Sequence, residues 1–397
     1  MKQTVKKKDF SRPGISSIKE KLGLVANKQN LIVSSADKPM EFIPMPDAYV
    51  EALKIPGIPM GVTTLISGRS NTGKSALKNA LIASAQRMGI LPVIYETENN
   101  FSFEYARAMG MMAEPIYGDV EVEDVDPETG EIVGVHTENR IVDYDGNFLY
   151  FDSQILADRY GDNDYSTGKK TKTKRKIAVI EDIAYSMNEL LDMQDNGDIQ
   201  QPLLFIWDSV GSVSSWKSYT SKASNAMWDA GALSVAFNVL TNNRIPSSKK
   251  VSSPYTNTFV CVQKVWLDSM SAPGASILRN KGGESLLYSC RLQIQLGGVL
   301  SAGTKKLSAT SKGENYTYGL ITKVKVNKNQ LDTPYNLTYE GTFCCVPTGI
   351  IPEECLDRYK KENIALILKN LNKRLEDEGK EAVSESEVVF TEEETDE

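Results

Sequence analysis

Apolar runs alternate along the chain with segments of helical spacing. The run 62–67 has the composition of a buried parallel strand, and further strand candidates cover residues 91–95, 202–208, 257–263, 286–296 and 318–326. The helical segments cover residues 76–86, 103–109, 177–191 and 364–371. This alternation predicts an α/β fold that has a mostly parallel central sheet with helices on both faces.

Changes in composition predict the domain organisation. We expect an N-terminal oligomerisation arm at 1–39, the core at 40–350, a C-terminal helical region at 351–375 and an acidic disordered tail at 376–397.

An acidic stretch interrupts the core at residues 111–176, and we interpret it as a surface insertion. Short alternating pieces at 131–135 and 147–151 predict hairpins. The run Lys169–Lys176 holds six basic residues in eight and predicts a flexible basic loop.

The charge of the chain is unevenly distributed. Its net charge is −7, but residues 376–397 carry eleven Asp/Glu and one Lys, whereas the other 375 residues carry 44 Lys/Arg and 41 Asp/Glu. The acidic balance therefore belongs to the tail, and it does not exclude a DNA-binding core.

Histidine and cysteine usage narrows the chemistry. The single histidine, His136, lies in a polar acidic stretch, which argues against Ser-His-Asp hydrolysis and His-rich zinc sites. The five cysteines lack C-x-x-C spacing, and the sequence shows neither a signal peptide nor an apolar run that could span a bilayer. We expect a cytoplasmic protein with no membrane partner.

The segment Gly68–Ser75 carries the strongest chemical signal. Gly-Arg-Ser-Asn-Thr-Gly-Lys-Ser follows a predicted strand and precedes a predicted helix, which is the context of a phosphate-binding loop, or P-loop. The backbone N–H groups of Gly68, Arg69, Ser70, Asn71, Thr72, Gly73, Lys74, Ser75 and Ala76 would surround phosphate oxygens. Lys74 would contact the β- and γ-phosphates of a nucleoside triphosphate, and the Ser75 hydroxyl would ligate Mg²⁺.

Carboxylates end two other predicted strands. Asp208 ends the strand that starts at Pro202, as in a Walker B strand, and would hold the magnesium shell. Glu96 and Glu98 follow the strand 91–95. Because ligands bind at the carboxyl ends of parallel strands, either glutamate could face the γ-phosphate.

Together these segments resemble the RecA family of ATP-dependent recombinases, particularly those encoded by T-even-like bacteriophages. The resemblance rests on Ile58–Gly61 with the P-loop, Tyr95–Glu98, Tyr105–Gly110, Phe205–Gly211, the strand ending at Gln263 with the loop Lys264–Gly283, and Lys323–Asn329. It implies a RecA-type P-loop ATPase core. The acidic insertion has no counterpart in this resemblance.

The resemblance also assigns roles to residues. It implies that Glu98 is the catalytic glutamate and that Tyr105 stacks on adenine. Gln263 would sense the γ-phosphate, and Lys328 would reach the nucleotide of a neighbouring subunit. DNA contacts would come from Lys264, Arg279, Asn280, Lys281, Gly282 and Gly283. Gln330 and Ser102 depart from the family pattern at the subunit contact and the adenine contact.

The function implied is that of a DNA-dependent ATPase that forms helical filaments on single-stranded DNA and pairs it with double-stranded DNA. Single-strand-binding and mediator proteins would be partners, in the cytoplasm of a bacterial host. Two alternatives stay open: a ring-forming helicase on the same core, and an ATP-regulated scaffold filament with slow or lost hydrolysis.

Overall fold

The computed structural model describes residues 36–126, 129–222, 226–267, 278–280, 284–298 and 303–394. The predicted arm 1–39 lies outside these residues except for its last four. Within the described part, no helix is long and apolar enough to cross a membrane.

The strands are β1 Phe42–Pro44, β2 Gly57–Pro59, β3 Thr63–Gly68, β4 Leu91–Glu96, β5 Glu114–Val125, β6 Ile132–Asp145, β7 Leu149–Asp152, β8 Asn163–Asp164, β9 Lys169–Lys170, β10 Leu203–Asp208, β11 Thr258–Leu267, β12 Leu278–Asn280, β13 Leu292–Leu296, β14 Thr304–Ser311, β15 Glu314–Asn329, β16 Glu340–Val346, β17 Gly349–Ile351 and β18 Val389–Glu394.

The α-helices are α1 Asp47–Leu53, α2 Lys74–Arg87, α3 Phe103–Ala108, α4 Ser153–Tyr160, α5 Ile180–Asp195, α6 Trp216–Thr220, α7 Ala226–Val239, α8 Ile245–Ser247, α9 Glu284–Ser289 and α10 Leu356–Asp377. A π-helical segment, Leu240–Arg244, joins α7 to α8, and short 3₁₀ turns cover Glu353–Cys355 and Glu385–Glu387.

A large sheet organises the described residues. Its strands follow the order β17-β16-β15-β13-β3-β11-β10-β4-β7. The six strands from β13 to β7 run parallel, and β15, β16 and β17 extend the sheet antiparallel. The predicted α/β fold with a large parallel central sheet is therefore confirmed.

Both faces of the parallel strands are buried, which explains their continuous apolar runs. Because side chains alternate along a strand, Leu65 and Phe205 pack into one core, whereas Ile66 and Ile206 pack into the other. Helix α2 lies in the core with Ile66, while α4, α5 and α7 supply the core on the opposite face.

Residues 111–176 differ in part from the predicted surface insertion. The hairpin expected near 131–135 is present, since β5 and β6 pair antiparallel along their lengths. The hairpin expected at 147–151 was wrong: β7 is an edge strand parallel to β4, and Leu156 and Tyr160 of α4 enter the core. A short alternating stretch fits either kind of strand, so the pattern alone could not decide.

The basic run Lys169–Lys176 is anchored, contrary to the flexible loop that we predicted. Arg175 is buried and donates to both carboxylate oxygens of Asp182, at 2.7 and 2.8 Å. Lys170 donates to Asp162 at 2.8 Å. The run thereby gains contacts that its charge pattern did not indicate.

The described part of the predicted tail, residues 376–394, contains the end of α10 and the strand β18, so the prediction of disorder was wrong for these residues. β18 pairs antiparallel with β14, and Phe390 contacts the ring of Tyr318 edge-on with centroids 5.8 Å apart. Lys305 lies 3.5 Å from Glu392. Pairing to a basic neighbouring strand gives this acidic segment partners that its composition does not reveal.

Candidate functional site

The loop Gly68–Ser75 connects the end of β3 to the start of α2. Gly73 precedes the helix with φ of 90°, and a Cβ at this position would lie 2.7 Å from Cys345 Sγ. A Cβ on Gly68 would lie 2.7 Å from the carbonyl oxygen of Leu296. Both positions therefore require glycine. The first N–H groups of a helix have no partner within the helix, so a loop that leads into one has the character of an anion-binding site.

Two side chains of the loop close over its own backbone. The Lys74 ammonium and the Thr72 hydroxyl both donate to the Arg69 carbonyl, the hydroxyl at 2.9 Å. Ser75 is exposed at the start of α2. The predicted contacts of Lys74 with phosphate and of Ser75 with a metal ion stay predictions.

The carboxyl ends of neighbouring parallel strands bring further predicted residues to the same edge of the sheet. Gly68 of β3 pairs with Lys264 of β11, and Asp208 of β10 pairs with Glu96 of β4. Strand ends that are far apart in sequence therefore lie side by side, as expected for a ligand site in a parallel sheet.

Lys78 lies between two of these strand ends. This lysine is 2 % exposed; its ammonium contacts Glu96 Oε2 at 3.0 Å and also donates to Asp208 Oδ2. Burial lowers the pKa of Lys78, but the Asp208 and Glu96 carboxylates outweigh burial and hold that pKa above its usual value. Burial raises the pKa of Glu96, against the opposing effect of Lys78.

Glu98 and Glu96 occupy different environments. Glu96 is fully buried, whereas the Glu98 side chain is exposed and accepts hydrogen bonds from the Ser209 hydroxyl and from Asn100 Nδ2. Glu98 and Lys264 line one cavity of about 200 Å³. Glu98 is therefore the carboxylate with access to a ligand, while Glu96 is held inside the protein.

Burial and the neighbouring charges shift the pKa of Lys74. Burial lowers this pKa to about 8, although the Asp208 and Glu98 carboxylates favour the charged form. Lys264 lowers it further by like-charge repulsion. A bound triphosphate would add negative charge beside Lys74 and favour its protonated form.

A second cavity adjoins the P-loop. It has a volume of about 370 Å³ and is lined by residues 71–76, by Tyr105 and by residues of β15 and β16. Ser102 caps α3 by accepting a hydrogen bond from the Tyr105 N–H at 3.1 Å, which fixes the start of the helix that carries Tyr105. The cavity size is within the range of small-molecule sites.

Gln263 and Lys328 occupy distinct places. Gln263 is buried on β11 beside Ser67, one residue before the end of β3. Lys328 pairs with Gln293 of β13, toward the sheet edge opposite Gly68, and its ammonium donates to the Tyr288 carbonyl at 2.7 Å. Its predicted contact with a neighbouring subunit stays a prediction.

The segment predicted as a loop from Lys264 to Gly283 begins as a strand. β11 continues to Leu267, and β12 pairs with it antiparallel, placing Asn280 opposite Val265 and Arg279 opposite Trp266. Lys264 is exposed at the base of this ribbon. The described residues do not include 268–277, which join the two strands. They also do not include three of the predicted DNA-contact residues: Lys281, Gly282 and Gly283. The strand predicted over 286–296 was wrong at its start, because residues 286–289 belong to helix α9 and the strand β13 begins only at Leu292.

Lys78 and Ser209 were missed by sequence reasoning. A lysine inside the otherwise buried helix 76–86 was the available signal for Lys78, because a buried ammonium requires a carboxylate partner. For Ser209 the signal was only its position after Asp208.

The oxygen donors at the site suit a magnesium ion. Mg²⁺ prefers oxygen ligands and is commonly held by one or two protein groups together with substrate phosphates. The Ser75 hydroxyl and the Asp208 carboxylate are such groups. Over the described residues, no cluster of three or more His, Cys, Asp or Glu side chains could hold a metal ion.

Comparisons with models of known protein families and with curated proteins found no match for this chain.

Proposed function

We propose that this chain is a RecA-type, DNA-dependent ATPase that assembles filaments on single-stranded DNA and pairs it with homologous double-stranded DNA. The observation that carries this proposal is the convergence of Lys74, Asp208 and Glu98 at one edge of the parallel sheet. Glu98 accepts a hydrogen bond from Ser209, the residue next to Asp208, and Asp208 contacts Lys78, one turn after Lys74 on α2.

Each of these groups has a role in phosphoryl transfer. Lys74 binds the β- and γ-phosphates, and Ser75 and Asp208 hold the magnesium shell. Magnesium, when bound, supplies positive charge beside the phosphate oxygens. Glu98 orients the attacking water and accepts its proton.

The cavity beside the P-loop supports a nucleoside as the rest of the ligand. Tyr105 lines it together with Lys74 and Ser75. A tyrosine ring offers a flat face for a purine base, and the loop residues lie where the phosphates follow.

The position of Lys264 supports coupling between ATP and DNA. Lys264 shares a cavity with Glu98 and lies at the base of the β11–β12 ribbon, beside the P-loop strand. A phosphate backbone bound at this ribbon would thus lie next to the hydrolytic carboxylate. Such binding would depend on salt and have little sequence preference.

The decisive experiment measures ATP hydrolysis with and without single-stranded DNA and examines the same samples by electron microscopy. We expect DNA-stimulated hydrolysis, filaments and pairing of homologous strands, and Lys74→Ala should nearly abolish turnover. Closed rings that unwind duplex DNA would instead support the helicase, and filaments without hydrolysis would support the scaffold.

A further inference from the structure

Lys78 connects the P-loop helix to two strands that approach it from distant parts of the sequence. It lies one turn after Lys74 on α2, and its ammonium contacts the carboxylates that end β4 and β10. The ring of Phe101 covers it, with Nζ 5.0 Å from the ring centroid. With 2 % of Lys78 exposed, water contributes little to holding its charge.

The contacts of Glu96 extend this connection toward Glu98. One carboxylate oxygen of Glu96 accepts from Lys78, and the other accepts from the backbone N–H of Glu98 at 3.1 Å. The Glu98 carboxylate in turn accepts from Ser209, the residue next to Asp208. A short series of hydrogen bonds therefore runs from Lys78 through Glu96 to the backbone of Glu98.

We propose that Lys78 is a positioning residue of this site, whose ammonium fixes Glu96 and Asp208 and thereby holds Glu98 in its place for hydrolysis. This inference rests on the proposed ATPase function. It assigns the two neighbouring glutamates different work: Glu96 anchors the strand end, and Glu98 faces the ligand. Lys78 itself does not line either cavity at the site.

The physical argument concerns like charges in a buried place. Without the ammonium, Glu96 and Asp208 would lie side by side at the ends of paired strands with their negative charges uncompensated. Their mutual repulsion would push the two carboxylates apart, and that movement shifts the backbone that carries Glu98. Supporting contacts of this kind typically change activity by about 10- to 100-fold when removed.

The test compares Lys78→Met, which removes the charge but keeps the chain length, with Lys78→Arg, which keeps the charge. For Lys78→Met we expect kcat to fall by about 10- to 100-fold, while the affinity for a fluorescent ATP analogue stays within about threefold because Lys74 remains. Lys78→Arg should recover most of the loss. Thermal unfolding of the nucleotide-free proteins provides a measurement that does not depend on turnover, and Lys78→Met should lower Tm.

Magnesium dependence separates positioning from general loosening. Removing Lys78 leaves more negative charge at Asp208, so the Mg²⁺ concentration for half-maximal activity should fall, by about tenfold. A merely loosened site would need more Mg²⁺. The matched control is Arg175→Met, which breaks another buried ion pair, with Asp182, outside the site. It should lower Tm without changing kcat.

A folded Lys78→Met protein with wild-type kcat would overturn the inference. If that variant does not fold, Lys78→Met can be combined with Glu96→Gln, which removes the buried cation together with one carboxylate. Wild-type kcat in this double variant would also overturn the inference. Hydrolysis that depends on Lys74 but not on Lys78 rejects this inference alone, whereas a wild-type chain that binds no ATP rejects the proposed function as well.

Discussion

The backbone N–H of Glu98 donates to a carboxylate oxygen of Glu96, 3.1 Å away. One of these glutamates thus holds the other, and the buried member of the pair is the one whose second oxygen contacts Lys78. The resemblance favoured Glu98 as the hydrolytic carboxylate and left Glu96 as the alternative, and their contacts show that the two residues lie in different environments.

Substitution of each glutamate by glutamine tests this difference. We expect Glu98→Gln to lose hydrolysis and keep ATP binding, because the amide cannot accept the proton of water. Glu96→Gln should retain measurable hydrolysis and lower the free energy of unfolding by about 1–3 kcal/mol, since a charged partner of buried Lys78 is lost. Kinetics and urea unfolding give both numbers. Normal hydrolysis in Glu98→Gln would assign the reaction to Glu96.

The lowered pKa of Lys74 predicts that ATP binding weakens at mildly alkaline pH. With a pKa of about 8 in the free protein, Lys74 is charged below that pH and loses its charge as the pH rises through it. ATP binding must then restore the proton, so Kd should rise by up to about tenfold per pH unit above pH 8. Lys74→Arg keeps its charge, and its Kd should change less over the same interval.

The lowered pKa of Lys74 also predicts how the free energy of unfolding depends on pH. An unfolded lysine holds its proton up to about pH 10.4, so between pH 8 and that value the unfolded chain binds more protons at this position than the folded one. The contribution of Lys74 to the free energy of unfolding therefore rises with pH in this interval. Comparing unfolding of the wild type and Lys74→Met at several pH values isolates it.

Tyr105 should contribute through its ring and not through its hydroxyl. We expect Tyr105→Ala to raise the Kd for ATP by about 5- to 100-fold, which corresponds to about 1–3 kcal/mol for the loss of a stacked base. Tyr105→Phe keeps the flat ring and should bind nearly as the wild type does. Equal affinity in the alanine variant would place the base elsewhere than in the cavity beside the P-loop.

Removal of β18 should affect both stability and DNA binding. Ending the chain after Glu387 exposes the edge of β14 and removes the contact between Phe390 and Tyr318, so the free energy of unfolding should fall by about 1–2 kcal/mol. Because Lys305 loses Glu392, affinity for single-stranded DNA at low salt should rise.

A charge-only variant separates these two effects. Glu392→Gln with Glu393→Gln keeps the strand and removes two of its negative charges, so DNA affinity at low salt should rise without the loss of stability. Unchanged DNA affinity in both the shortened chain and this variant would contradict a competing role for the acidic segment.

His136 provides a probe of the β5–β6 hairpin. Its ring contacts Glu138 and Asp124, each at 2.8 Å, and these carboxylates raise its pKa above 6.5, with the hydrogen bond to Glu138 the largest cause. The ion pairs are therefore present at low pH and are lost as the pH rises through the raised pKa. As the chain has one histidine, its NMR titration is unambiguous. Glu138→Gln should lower the pKa, and an unchanged value would contradict the contact.

The strand, loop and helix around Gly68–Ser75 could be predicted from the sequence because the pattern that specifies them is local. The glycines, Lys74 and Ser75 are consecutive with the strand and helix that present them, so eight residues and their flanks define the loop. Asp208 could be predicted for a similar reason: a buried parallel strand is a continuous apolar run, and a carboxylate at its end lies at the edge where ligands bind.

Long-range pairing was decided by the tertiary structure alone. The same alternating pattern in Leu149–Asp152 suits a hairpin or a parallel edge strand, and only its position beside β4 distinguishes them. The acidic composition of 376–397 is typical of a disordered tail, and only the pairing of β18 with β14 shows that part of it forms a strand. Local composition does not specify which distant strand will supply the hydrogen bonds and the opposite charge.

The candidate site likewise combines features that are local in the sequence with contacts between distant residues. The sequence by itself determined the strand, loop and helix around Gly68–Ser75 and the acidic residues at the ends of β4 and β10, because each is a property of a few consecutive residues. Only the tertiary structure decided that Lys78 meets Asp208, 130 positions away, and that Glu96 is buried while Glu98 is exposed. Charges act through distance and burial, and both are set by the packing of helix α2 on the sheet and not by the spacing of residues along the chain.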